Sequence, residues 1–117
     1  MHVFTSASSK KWEPEGHFGH LEVADIVPRA EGDNFVMQLS HCPPGGGGLK
    51  HHHDDQAQVF AVIKGELTFD TNEGRFTLHA PDAVLFQPGE PHATINESQE
   101  ESLTVVVTVD RTSSGPS

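Results

Sequence analysis

The 117-residue chain is long enough for one domain with a core of its own. Seventeen Asp and Glu against seven Lys and Arg leave a formal net charge of -10, which argues against nucleic acid or an anionic membrane as partner, because no counterion-releasing patch exists. One cysteine, Cys42, excludes an internal disulfide.

The start, MHVFTSASSKKW, has no charged segment followed by an apolar run, and nothing approaches the ~20 apolar residues of a membrane span. A soluble cytoplasmic protein is expected. Residues 1–20 read as a polar arm, with Val3, Phe4, Trp12 and Phe18 as anchors that can pack on the body or on a partner subunit. Residues 21–110 form the body, and 111–117 read as a flexible, solvated tail.

Within the body, residues 21–27 predict a strand ended by Pro28 and the polar run EGDN. Phe35, Met37, Leu39 and His41 then alternate with Val36, Gln38, Ser40 and Cys42, a period of two. PPGGGG breaks regular structure and reads as a plain loop. Short strands follow near 50–53, 58–63, 66–70, 75–79, 84–86, 92–96 and 103–110, separated by turn signals such as Asp54-Asp55, Lys64-Gly65 and Pro88-Gly89. No long segment places apolar residues at helical spacing. The fold class is all-β, a sandwich or barrel.

HHHDDQAQ, which opens at His51, concentrates the chemistry. On a strand, side chains two apart share a face about 7 Å apart, so His51 and His53 can converge on one ion while His52 points away. Gln58 has the wrong parity for one unbroken strand. A bend at Asp54-Asp55 can return it to the same interior. His92, opening a strand after the Pro-Gly-Glu-Pro turn, is a fourth ligand if that strand lies beside the first.

GLKHHHDDQAQVFAVIKG resembles the first motif of the cupin superfamily, with Gly45, His51, His53 and Gly65 in register and Gln58 where glutamate is usual. PDAVLFQPGEPHATIN resembles the second motif through Asp82, Gly89, His92 and Asn96, departing at Pro81 and Gln87. The resemblance implies a single-domain jelly-roll β-barrel, a homodimer, and a divalent transition metal ion (Zn, Ni, Mn, Co or Fe(II)) held by His51, His53, Gln58 and His92.

Glutamine in place of glutamate keeps the donor set neutral, which strengthens an ion as a Lewis acid toward a carbonyl, enolate or bound water. The His-His-Gln-His set resembles that of cupins that convert unsaturated uronates or cyclise polyketides. A metal-dependent isomerase, cyclase or lyase acting on a small, largely apolar carbonyl or enol substrate is therefore expected. The alternatives are an Fe(II) dioxygenase of quercetinase-like type and a non-catalytic small-molecule-binding barrel.

His41 is the candidate proton shuttle, if its row with Phe35, Met37 and Leu39 faces the cavity; a further ligand or a structural histidine are the other readings. The expected walls are Met37, Leu39, Phe60, Val62, Phe69, Leu78, Phe86 and Val105. No arginine is expected near a substrate carboxylate, and Lys50 is expected to turn away from the site. Asn96 is read as a structural residue at a strand end.

Overall fold

The computed structural model describes residues 1–111, and six positions of the expected tail, 112–117, lie outside the described residues. The chain forms strands β1 (Lys11–Trp12), β2 (His17–Phe18), β3 (Glu22–Val27), β4 (Phe35–Cys42), β5 (Gly47–His51) and β6 (Gln56–Lys64). β7 (Glu66–Thr71), β8 (Gly74–His79), β9 (Ala83–Phe86), β10 (His92–Ile95) and β11 (Ser102–Asp110) follow, with one four-residue helix, α1 (Arg29–Gly32). Among the described residues no helix is long and apolar enough to cross a membrane.

The strands make two antiparallel sheets, ordered β1-β3-β4-β11-β6-β9 and β2-β5-β10-β7-β8. Alternation decides what each sheet turns inward. β11 buries Ser102, Thr104, Val106 and Thr108, and β6 turns Gln58, Phe60 and Val62 the same way. From the other sheet, Leu67, Phe69 and His92 face them. Phe60 and Phe86 meet Phe69 at ring-centre distances of 5.5 and 5.9 Å, and Phe69 stacks on Phe76. The core is this aromatic knot with Leu21, Val23, Val62 and Leu67 around it.

The glycine run differs from the plain loop expected of it. Gly47 and Gly48 belong to β5, and a Cβ on Gly47 would lie 2.1 Å from the Thr94 carbonyl oxygen of β10. Only glycine permits so close a backbone approach. Gly45 N–H donates to the Asn96 carbonyl at 2.8 Å, and Asn96 N–H donates to that of Gly46 at 2.8 Å.

Asn96 is fully buried and structural. Its Nδ2 donates to the carbonyls of Cys42 (2.9 Å) and Glu100 (2.8 Å), while Oδ1 accepts from Ser98 N–H and Oγ. Asn96→Ala strands these partners, and should cost about 2–4 kcal/mol in urea unfolding, the loss of several buried hydrogen bonds.

Candidate metal centre

The histidine cluster depends on a bulge. His92 pairs with His51 and Thr94 with Gly48, so the one residue of β10 between them, Ala93, opposes two of β5, Leu49 and Lys50. The extra residue puts His51 and Gly48 on the same inward face as His92 and Thr94. It also brings Leu49 and Lys50 both to the cavity wall, correcting the expectation that Lys50 turns away. His53 follows the end of β5, and Gln58 sits inward on β6 between Phe86 and Thr108 of its neighbours.

His51 lies 5.0 Å from His53 and 4.7 Å from His92, ring centre to ring centre, and His53 lies 6.5 Å from His92. Two imidazoles sharing one ion at ~2.1 Å have ring centres roughly 4.6–5.3 Å apart for ligand angles between 90° and tetrahedral. His51 meets that spacing with both neighbours, and His53 stands off from His92 by about an ångström more. Among the described residues no group of three His, Cys, Asp or Glu is arranged to hold an ion as it stands. The fourth donor here is an amide, and His53 has to turn inward to complete the set.

The lone pairs are otherwise prepared. His51 Nδ1 faces the Leu49 carbonyl at 2.9 Å and His92 Nδ1 faces that of Glu90 at 3.0 Å. A carbonyl only accepts, so in the neutral rings the proton sits on Nδ1 and Nε2 carries a free lone pair. Gln58 Nε2 donates to Thr108 Oγ1 at 3.0 Å, which leaves Oε1 available. His92 Nε2 and Gln58 Oε1 are buried without a partner, as are Ser102 Oγ and Thr104 Oγ1. Orphaned buried acceptors are costly unless something satisfies them, and a cation is the partner that an acceptor pair beside two further imidazoles fits.

Electrostatics agree. His92 stacks on Phe86 at 4.2 Å and meets Phe60 edge-on at 5.4 Å. Burial in that box, with His51 and His53 adding repulsion, pushes its pKa down to about 4. Burial, then His51, also holds His53 below the ordinary imidazole value. Both rings are therefore neutral at pH 7, the form that ligates.

The cluster opens into a cavity of about 580 Å³, with His51, His53 and Gln58 on its wall and His92 behind them. Its lining corrects several expectations. On β4 the inward row is Val36, Gln38 and Ser40, so Met37 and Leu39 face outward, as does Val105 beside Leu39 on β11. His41 belongs to the outward row and approaches Glu101 at 3.4 Å, away from the imidazoles; its placement gives it no shuttle role. Phe60 does line the cavity, but Gln56, Thr94, Thr104 and Thr108 make the wall more polar than expected. Arg29 also lines it, paired with Asp110, where no arginine was expected. His52 pairs with Asp54 at 2.9 Å and stands apart from the cluster.

His17 is the residue that sequence reasoning missed. It lines the same cavity, with its ring centre 6.3 Å from that of His51. The signal available was the pair Gly16 and Gly19 bracketing it in an otherwise ordinary polar arm.

A Cupin domain family profile matches residues 38–109, over half of the chain and spanning both histidine motifs. The chain belongs to the cupin family. Among solved structures, this cupin is similar to a protein described as a predicted oxalate decarboxylase from Thermotoga maritima, at 20% identity and TM-score 0.84, covering 93% of this chain and 99% of that one. It is similar also to the polyketide cyclase RemF from Streptomyces resistomycificus, at 18% identity and TM-score 0.80, covering 93% and 79%. A sugar phosphate isomerase of the cupin superfamily from Silicibacter pomeroyi is 18% identical with TM-score 0.73, covering 92% and 75%. At these identities the likeness carries the jelly-roll fold alone. No curated protein matches.

The low His92 pKa has a sign that can be checked. The unfolded chain takes up a proton near the ordinary value of 6.5, whereas the folded ring resists it until about pH 4. Metal-free cupin should therefore lose stability as pH falls through that window, and His92→Phe should flatten this part of a urea-midpoint profile.

Proposed function

We propose that this cupin is a metal-dependent enzyme that uses Lewis-acid catalysis on a small carbonyl or enol compound, in an isomerase, cyclase or lyase reaction. The observation that carries the reading is the convergence of His51, His53 and His92 with the unpartnered amide oxygen of Gln58. A divalent ion held by these four residues supplies polarisation of a carbonyl or enol oxygen.

The chain's own residues do the rest. Backbone clamps on His51 and His92 hold Nε2 in the ligating tautomer. Gln58, neutral where glutamate is usual, contributes no negative charge, so the donor set leaves the charge of a dication undiminished. Phe60 and Phe86 exclude water behind His92. Ser40, Thr104 and Thr108 offer hydroxyls along the wall, which favours a substrate with several oxygens over a purely apolar one.

Elemental analysis of the purified protein should find about one equivalent of divalent metal, absent from a His51→Ala/His53→Ala double variant. Zinc, nickel or manganese keeps the Lewis-acid reading. Iron together with substrate-dependent oxygen uptake moves it to the dioxygenase. A wild type that stays empty after reconstitution with each ion leaves a binding barrel. Gln58→Glu should tighten metal retention against a chelator on the order of tenfold or more, because ligand charge tunes affinity.

The homodimer belongs to the same proposal. Leu39, Val105 and Ala61 adjoin one another on the outer face of the six-stranded sheet, as do Met37, Val107, Val59 and Leu85. Such an apolar sheet face suits a second copy of itself. Val107→Lys should shift the sedimentation mass from dimer to monomer, and a wild type that is monomeric at every concentration counts against the dimer.

A further inference from the structure

We propose that His17, carried in by the N-terminal arm, is a substrate-contacting residue of the metal cavity, accepting a hydrogen bond at Nε2 from a hydroxyl of the bound carbonyl or enol compound. The inference rests on the metal reading above and adds a residue from outside both histidine motifs.

The arm crosses the mouth of the barrel. β1 pairs with β3 at the edge of one sheet, and β2 pairs with β5 at the edge of the other. Trp12, Pro14 and Gly16, on or between these short strands, form part of the cavity wall. The crossing is held in place: Leu49 N–H donates to the Gly16 carbonyl at 2.8 Å, and a Cβ on Gly19 would lie 2.5 Å from Gly46 Cα.

Register then aims the side chain. His17 pairs with Gly48, which shares its inward face with His51 and His92. A Cβ on Gly48 would stand 2.9 Å from His17 Cδ2 and 3.0 Å from Nε2, so the imidazole fills the room that a side chain would take. His17 Nδ1 faces the Glu15 carbonyl at 3.0 Å, the same two-residues-back clamp that His51 and His92 have. The clamp holds the proton on Nδ1 and leaves the Nε2 lone pair to accept from another partner, such as a substrate O–H.

Distance separates the role of His17 from that of the ligands. Its ring centre is 6.3 Å from that of His51, beyond the roughly 4.6–5.3 Å of imidazoles sharing an ion. It stands beside the donor set, where a molecule seated against the cluster would meet it.

The test uses the full chain loaded with cobalt(II), read by visible absorption, with two probes: hydroxyacetone, a hydroxyketone that keeps an O–H to donate, and azide, too small to span from the ion to His17. His17→Ala should keep cobalt stoichiometry and spectrum, keep azide affinity, and bind hydroxyacetone roughly tenfold more weakly, the loss of one good hydrogen bond. His17→Gln, which can still hydrogen-bond, should recover part of that loss, and Gly48→Ala, which crowds the ring, should reproduce it. Unchanged hydroxyacetone affinity in His17→Ala would overturn the proposal in favour of a ring that merely packs. Lost cobalt would overturn it in favour of a ligand. A wild type that takes up no cobalt removes the metal reading itself, a failure visible before any variant is made.

Discussion

Close backbone contact along Gly45–Gly48 is the constraint on which the rest of the structure depends. At Gly47 the β10 backbone comes nearer than any Cβ allows, at Gly19 of the arm the Gly46 Cα does the same, and at Gly48 the His17 ring takes the vacant place. Those approaches set β5 against β10, and that pairing, with its bulge, turns His51 toward His92. Asn96 locks the same corner by satisfying the carbonyls of Cys42 and Glu100. A side chain at Gly47 or Gly19 would separate elements that the cluster needs together, while one at Gly48 would displace only the His17 ring.

Around the cluster, two environments meet. Behind it, Phe60, Phe69 and Phe86 make an apolar floor that keeps His92 neutral. In front lies a wall of amides and hydroxyls, with Arg29 and Asp110 paired at its rim. A dry floor strengthens any charge held above it, while a polar wall lets an oxygen-rich molecule enter without leaving its hydrogen bonds unmade.

Much of this was legible from one sequence. Period-two alternation and Gly/Pro punctuation determined an all-β fold, because those patterns fit a pleated strand and no helix. Two spaced motifs carried the resemblance that grouped His51, His53, Gln58 and His92; the structure sets the His51 ring beside those of His53 and His92 and places Gln58 on the same cavity wall as His51 and His53.

Tertiary structure decided what alternation leaves open. Period two says that His41 shares a face with Leu39 and that Gln38 shares one with Ser40; it does not say which face is inward. Packing of β4 between β3 and β11 chose the Gln38 row, and His41 went outside to Glu101. The bulge in β5 is likewise a property of the pairing with β10, so the parity of Lys50 could not be counted along the chain. His17 and His51 are 34 positions apart by their numbers in the chain and share a cavity only because the arm adds itself to the sheet edge at Gly48. Local pattern fixes relative orientation along a strand; only contact between strands fixes the absolute one.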